Sequence, residues 1–170
     1  ATKKTNELFA QVFADVYGIR LMGFRYFNIF GPRQDPDGAY AAVIPLFVKS
    51  IMKEIPAFIN GDGEQTRDFT FVDNAVQINI KGMLTDNPEA LGKVYNVAIG
   101  ENFTVNYLYQ ACLDRLNSTF PAQYREPRAG DIRNSLADIS LAKKLLGYQP
   151  TKRFEDGLAE TIDFFKNKYA

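Results

Sequence analysis

ATKKTNELFAQVFADVYG (residues 1–18) is followed directly by IRLMGFRYF (residues 19–27), and the two stretches carry apolar residues in different patterns. In the first, apolar residues at 8, 9, 12, 13 and 16 form the stripe of an amphipathic helix, and Gly18 is a residue type that ends helices. The second is apolar without alternation, which is typical of a strand buried on both faces in a parallel sheet. Together they predict a chain of the α/β class.

Patterns along the rest of the chain predict further helices and strands in alternation. Helices are expected over residues 42–53, 73–84 (capped by Asp73), 104–116 (capped by Thr104), 140–147 (capped by Ser140) and 154–169. Strands are expected over residues 55–60, 67–72, 93–98 and 122–126. Gly61-Asp62-Gly63 lacks the spacing of a dinucleotide-binding loop and is predicted to be a hairpin turn.

The composition restricts the classes of protein. The chain has 170 residues, enough for one domain or one large subdomain, and its 20 acidic and 20 basic residues cancel. This balance argues against nucleic-acid partners and an anionic membrane surface, and no apolar run reaches the roughly 20 residues of a membrane span. The single cysteine, Cys112, excludes an internal disulfide, fits the reducing cytosol and lies in a helical pattern that predicts a buried thiol.

The sequence contains no histidine. Catalytic triads of the Ser-His-Asp and Cys-His kinds and His-ligated metal sites are therefore excluded, and no metal site is predicted. A general base in this chain must be a carboxylate, a lysine or a tyrosine.

The end of the second predicted element is the first candidate site. Ligands of open α/β sheets bind at the carboxyl ends of strands, where Arg25-Tyr26-Phe27-Asn28 would lie. The Asn28 amide could donate to a phosphate or a sugar while an aromatic ring flanks a base. The alternative is that Tyr26 and Phe27 belong to the core and Asn28 satisfies a turn.

Two arginines form the second candidate. Arg67 and Arg128 each lie beside a turn and an acidic residue, and arginine is suited to a bidentate grip on a diphosphate. The alternative is a pair of local surface ion pairs, Arg67 with Asp68 and Arg128 with Asp131, which would contribute little stability.

Several motifs in order carry a resemblance to a known family. They are Thr2-Lys3 with Asn6-Glu7, RYFNIFGP (25–32), INGDGEQTRDF (59–69), VDNA (72–75), RAGD (128–131) and Ala137-Asp138. With this order and spacing, nearly the whole chain resembles the carboxyl-terminal half of the extended short-chain dehydrogenase/reductase family, and within it the nucleotide-sugar 4-epimerases.

The resemblance implies a fold and a domain organisation. The chain would be the C-terminal part of a Rossmann-type fold with its substrate-binding subdomain. Residues 1–40 would be a remnant of the NAD-binding domain and residues 41–170 mainly the nucleotide-sugar-binding subdomain, with segments of about 69–98 returning to the Rossmann part. The family's dimer implies a homodimer through the helix 1–17.

The resemblance also implies the chemistry of an isomerase of the polysaccharide-precursor type, acting in the cytoplasm. In such enzymes a tyrosine, its pKa lowered by a lysine, deprotonates the sugar 4-hydroxyl, and NAD takes and returns the C4 hydride. The segment 34–45 resembles epimerases of UDP-N-acetylhexosamines, because Ala41 and Ala42 would leave room for an N-acetyl group. UDP-GlcNAc and UDP-GalNAc are thus the implied pair.

Roles carry over residue by residue. Lys3 would be catalytic and cofactor-binding, with Tyr26 and Phe27 also beside the cofactor. The substrate side would comprise Asn28, Ala42, Val43, Phe58, Asn60, Arg67, Arg128 and Asp131. The tyrosine would fall two residues before Ala1, and the glycine-rich NAD loop is also missing, so NAD would be bound mostly by an N-terminal half and this chain alone is expected to be inactive.

Two alternatives remain open from the sequence. One is a nucleotide-sugar dehydratase, decarboxylase or reductase of the same family, whose extra carboxylates would lie upstream. The other is a UDP-sugar-binding module without catalysis. The hexose and the direction of flux are also left open.

Overall fold

The computed structural model describes residues 2–37 and 42–169 and has the α/β architecture that the sequence predicts. The helices are α1 (Thr2–Tyr17), α2 (Val43–Lys53), α3 (Val72–Leu84), α4 (Val105–Leu116), α5 (Ser140–Leu146) and α6 (Phe154–Tyr169), with a short 3-10 turn at Pro88–Ala90. The strands are β1 (Gly23–Tyr26), β2 (Ile29–Phe30), β3 (Phe58–Asn60), β4 (Thr66–Arg67), β5 (Thr70–Phe71), β6 (Val94–Val97), β7 (Phe103–Thr104) and β8 (Gln123–Arg125).

Within the described ranges the strands pair two by two. β1 and β6, β2 and β5, and β3 and β8 are parallel pairs, whereas β4 and β7 are antiparallel. Each parallel pair is connected through helices, as parallel pairing requires. β1 is followed by the turn at Asn28 and then by β2, which pairs with β5. Asn28 precedes β2 and Asp68 precedes β5, and the two residues are joined by a hydrogen bond from Asn28 Nδ2 to Asp68 O.

The hairpin predicted at Gly61-Asp62-Gly63 is wrong. The turn exists, but β3 before it pairs with β8 and β4 after it pairs with β7, so the two strands do not pair with each other. Gly63 has φ +77°, and a Cβ at this position would lie 1.9 Å from Asn106 Oδ1. The glycine therefore permits a close approach between the turn and α4.

The other element boundaries differ in detail from the predictions. The predicted strand 19–27 is regular over Gly23–Tyr26, and the predicted strand 67–72 divides into β4 and β5. Asp73 and Ser140 lie inside the first turns of α3 and α5 and are not their caps, whereas the Thr104 cap is confirmed by a hydrogen bond from Tyr107 N to Oγ1 of 3.0 Å.

Two clusters of buried side chains form the core. The larger cluster joins α2, α4 and α6 to β2, β3 and β5, and the Phe154 ring at its centre stacks on Phe69 and Phe103. The smaller cluster lies between α3, α5 and β6 and includes Tyr148, whose hydroxyl donates to Ala98 O. Cys112 is fully buried in the larger cluster, as predicted.

Helix α1 lies apart from both clusters and buries none of its side chains. Its apolar residues stay largely exposed, namely Leu8, Phe9, Val12, Phe13, Val16 and Tyr17. Within residues 2–37 and 42–169 no helix combines the length and apolar character that a bilayer crossing requires.

Candidate functional site

A cavity of about 300 Å³, here called the central cavity, opens where β2, β3, β4 and the start of α2 converge. It is lined by every residue that the sequence assigns to the substrate side, namely Asn28, Ala42, Val43, Phe58, Asn60, Arg67, Arg128 and Asp131. Residues that lie up to 103 positions apart, as Asn28 and Asp131 do, are thus brought together at one site.

The central cavity has an apolar floor and a polar rim. Phe30, Phe47, Ile59 and Phe69 belong to the larger core cluster and line the cavity from below. Because these side chains are packed in the core, they provide a rigid surface for an apolar ring, while the charged groups at the rim remain in reach of solvent.

Asn28 is held in an unusual backbone conformation at the end of β1. Its φ is +35°, in the left-handed region that asparagine tolerates better than most residues, and its Nδ2 donates to Asp68 O at 3.2 Å. An amide nitrogen carries two hydrogens, so the bond to Asp68 leaves a second donor for a ligand. The alternative in which Asn28 satisfies a turn is therefore compatible with a ligand role.

Asp68 fixes the backbone behind the central cavity. Its carboxylate is fully buried and accepts hydrogen bonds from Ile99 N and Gly100 N at 3.1 Å and from Ala137 N at 3.4 Å. Burial raises its pKa above the usual value, against the lowering effect of these bonds. Asp68 therefore joins three segments of the chain and is not the surface partner of Arg67 that the alternative reading required.

Arg67 is paired across the cavity with Asp131. Its Nη2 lies 2.5 Å from Asp131 Oδ1, and its Nη1 donates to Ile132 O at 2.6 Å. The guanidinium is thus directed at the turn that carries Arg128, which is exposed and lines the same cavity. Arg67 therefore has a long-range partner and not the local partner that the alternative assigned to it.

The loop 126–134, here called the arginine loop, is exposed along its length but tied to the turn 61–66. Thr66 N donates to Arg133 O at 2.8 Å, and Arg133 donates to both carboxylate oxygens of Asp62 at 2.6 and 2.9 Å. Arg133 is the main reason that the pKa of Asp62 falls from 3.8 to about 2. These contacts hold Arg128 beside the central cavity.

Sequence reasoning missed two residues beside this cavity. Gln65 is 8% exposed and its Nε2 donates to Asn60 O at 2.9 Å, while Arg125 donates from Nε to Asn60 Oδ1 at 2.6 Å and lies 5.1 Å above the Phe58 ring. Both therefore brace predicted substrate residues. The parallel register of β3 and β8 places Arg125 opposite Asn60. The sequence pattern does not show this register and therefore gives no signal for Arg125.

A second and larger cavity, of about 1090 Å³, separates α1 from β1 and is called the helix cavity here. Lys3, Tyr26 and Phe27, the predicted cofactor-side residues, all line it. Tyr26 is 48% exposed and donates from its hydroxyl to Asn79 Oδ1, so the alternative that places it in the core is wrong, whereas Phe27 is partly buried against the smaller core cluster.

The fold and the two cavities define an α/β protein with a candidate ligand site near the ends of paired strands. The sequence model of the NAD dependent epimerase/dehydratase family matches residues 1–98. The chain belongs to this family, and its fold is part of the Rossmann-type fold of the extended short-chain dehydrogenases/reductases.

Individual relatives agree with this assignment. The chain is 31% identical to the UDP-glucose 4-epimerase of Mycolicibacterium smegmatis, covering 99% of this chain and 52% of that protein. It matches the Thermotoga maritima UDP-glucose 4-epimerase with UDP-glucose (TM-score 0.93, 33% identity, 99% and 53% covered). It also matches a UDP-N-acetylglucosamine 4-epimerase from Methanobrevibacter ruminantium in complex with UDP-N-acetylmuramic acid (TM-score 0.90, 40% identity, 98% and 52% covered). The chain thus spans about half the length of these relatives.

Proposed function

We propose that the chain is the nucleotide-sugar-binding half of an NAD-dependent UDP-sugar 4-epimerase. The observation that carries the proposal is the central cavity, where two arginines and the Asn28 amide surround an apolar floor. A diphosphate needs positive charge and fixed donors, and a pyrimidine needs a flat apolar surface. Both requirements are met within one cavity of a size suited to a nucleotide.

The substrate roles follow from position. Arg67 and Arg128 bind the diphosphate, with Asn28 donating its second amide hydrogen. Phe58 and Asn60 lie along the nucleotide, where Arg125 braces both of them, and Ala42 and Val43 supply backbone near the uridine. Asp131 lies near the ribose and orients Arg67 through their ion pair.

The helix cavity is the proposed binding site for the nicotinamide end of NAD. The Lys3 ammonium can donate hydrogen bonds to ribose hydroxyls and lower the pKa of a neighbouring tyrosine, and Tyr26 and Phe27 provide ring surfaces for a nicotinamide. The sequence contains no Gly-x-Gly-x-x-Gly loop, so these residues fit one end of a dinucleotide. NAD, when bound, accepts the C4 hydride and returns it to the opposite face of the 4-keto sugar.

The proposal includes an organisation of the whole enzyme. Residues 1–40 and about 69–98 form the Rossmann part, and the remainder of 41–170 forms the substrate subdomain. The exposed apolar face of α1 is suited to a second copy in a homodimer. A single cysteine fits the reducing cytoplasm, where precursors for surface polysaccharides would be made. The chain without its partner half is proposed to lack turnover.

The proposed substrate pair is UDP-GlcNAc and UDP-GalNAc. Ala42 lines the central cavity with a side chain of one methyl group, which leaves room for an N-acetyl substituent. Of the three relatives described, the UDP-N-acetylglucosamine 4-epimerase shares the highest identity. Both observations support an acetylated hexose over a simple one.

Product stereochemistry tests the proposal. The full-length protein is incubated with NAD and either UDP-GlcNAc or UDP-glucose, and the anomeric proton signals are followed by NMR. Appearance of the 4-epimer, faster from UDP-GlcNAc, is expected. Release of water from either UDP-sugar would instead indicate the dehydratase alternative, and release of carbon dioxide from UDP-glucuronic acid, tested in a separate incubation, would indicate the decarboxylase. UDP binding without any conversion would indicate a binding module.

A further inference from the structure

The Glu7–Arg25 ion pair joins α1, the helix that carries Lys3, to β1, which ends two residues before Asn28. Arg25 Nε lies 2.6 Å from Glu7 Oε1, and Arg25 Nη2 lies 2.8 Å from Glu7 Oε2, so the contact is bidentate. Bidentate pairs fix orientation as well as distance, because two parallel bonds prevent the planar groups from rotating.

Within the described chain, α1 has few contacts besides this ion pair. It buries no side chain, and the helix cavity separates much of its inner face from β1. Packing therefore contributes little to the position of α1 in this chain. Glu7 is the better shielded member of the pair, with 17% of its side chain exposed against 50% for Arg25. The bond to Arg25 is the main reason that the pKa of Glu7 falls from 4.5 to about 2.

The pair lies one turn from the residue that matters for catalysis. Lys3 and Glu7 are four residues apart, which places both side chains on one face of α1. Arg25 and Phe27 are two residues apart on an extended segment and share one side of it. A shift of Glu7 against Arg25 would therefore move Lys3 relative to Phe27 and Asn28.

We propose that Glu7 and Arg25 form a positioning pair that sets the Lys3 ammonium at its working distance from the reacting tyrosine and from the sugar. The inference rests on the proposed epimerase function and assigns a role to two residues outside the substrate cavity. The pair acts through Lys3; both of its members line the helix cavity and neither lines the central cavity.

The charges around Lys3 allow a specific expectation. The charged residues lining the helix cavity in the described chain are Lys3, Glu7, Arg25 and Lys93, and Lys4 also contacts Glu7 at 3.1 Å. A displaced Lys3 would lower the pKa of the tyrosine less, so the acid limb of the rate profile would move to higher pH. Glu7 and Arg25 do not line the central cavity, so KM for the UDP-sugar would stay near the wild-type value.

The test uses the full-length enzyme with Glu7→Gln, Arg25→Met and the charge swap Glu7→Arg/Arg25→Glu. The control is Asp163→Asn, which breaks the exposed Arg115–Asp163 pair of 2.6 Å between α4 and α6. UDP titration of each variant gives the fraction of folded sites, so that kcat is expressed per site. Each single variant is expected to lose about 10- to 100-fold in kcat, as a misplaced catalytic group does, while KM is unchanged. The swap should recover part of the loss, and Asp163→Asn should match the wild type.

Two results would overturn the inference. One is a Glu7→Gln enzyme with wild-type kcat and an unshifted acid limb. The other is a charge swap that is no better than either single variant. A wild-type enzyme that binds UDP but converts no UDP-sugar would refute the proposed function itself, so the two failures are distinguishable.

Discussion

Arg67 on β4 and Asp131 on the arginine loop form an ion pair of 2.5 Å although 64 positions separate them. The pair points the Arg67 guanidinium along the wall of the central cavity and fixes the turn that carries Arg128. The Arg67 guanidinium is thus oriented before any ligand arrives, and Arg128 lines the same cavity. Preorganised charge reduces the ordering cost of binding, which favours a diphosphate ligand at this site.

Ala42 is proposed to make room for the N-acetyl group of the sugar. Ala42→Asn adds an amide to the wall of the central cavity, and we expect it to lower kcat/KM for UDP-GlcNAc relative to UDP-glucose, because the larger side chain occupies the space of the substituent. The ratio of the two kcat/KM values, measured in the full-length enzyme, is the readout. An unchanged ratio would contradict this role of Ala42, and Ala42→Ser serves as a control of nearly conserved volume.

Phe154 is expected to be one of the most sensitive positions for stability. Its ring is fully buried and packs on Phe30, Phe69 and Phe103. Phe154→Ala should lower the free energy of unfolding by about 3–5 kcal/mol, since it removes a large buried ring and leaves a cavity. Urea denaturation measures the loss. The matched Phe58→Ala change, at a ring that is 48% exposed, should cost less than about 1 kcal/mol. Equal losses for the two variants would refute the packing described here.

Asp62 is expected to titrate well below an ordinary aspartate. Arg133 stabilises its charged form, so the carboxyl carbon should titrate near pH 2 by NMR, and Arg133→Gln should return the pKa towards 3.8. Because the pKa of Asp62 is lower in the folded chain, the pair contributes its full stabilisation above about pH 3.8. This contribution is lost as the pH falls through about 2 and the carboxylate becomes protonated. The same Asp62 pKa in wild type and Arg133→Gln would show that the pair does not hold the arginine loop.

Cys112 is expected to be unreactive in the folded chain. Burial in the larger core cluster raises the pKa of its thiol to about 12, so hardly any thiolate exists near neutral pH. A thiol-specific chromogenic reagent should modify the chain slowly at pH 7.5 and rapidly after denaturation in guanidinium chloride. Rapid modification without denaturant would mean that the core around Cys112 opens readily.

Helix positions and individual cavity-lining residues could be predicted from the sequence, but strand partners could not. The stripe of apolar residues in 154–169 indicates α6 because helical periodicity is local, whereas β3 pairs with β8 across 65 positions, which a local pattern cannot encode. The wrong hairpin at Gly61–Gly63 has this cause. Asp73 and Ser140 were misplaced as caps because several polar residue types occur near helix starts.

The site shows the same division. The resemblance implies the eight substrate-side residues, and all of them line one cavity, but it does not indicate Gln65 or Arg125. The contact of Arg125 with Asn60 depends on the β3–β8 register, and Gln65 reaches Asn60 O across the turn 61–64. The sequence likewise does not indicate Asp131 as the partner of Arg67, because 64 positions separate the two residues. Asp68 is instead buried, and its carboxylate accepts hydrogen bonds from the backbone N–H groups of Ile99 and Gly100.

The central claim is that the central cavity holds the diphosphate of a UDP-sugar, and a calorimetric titration with UDP tests it most directly. The full-length protein is compared with Arg67→Met, Arg128→Met and the distant control Arg115→Met. Each cavity arginine makes charge-assisted bonds worth about 1.5–3 kcal/mol, so each of the first two variants should bind UDP roughly 10- to 150-fold more weakly, while Arg115→Met binds as the wild type does. Wild-type affinity in Arg67→Met and Arg128→Met would contradict the account.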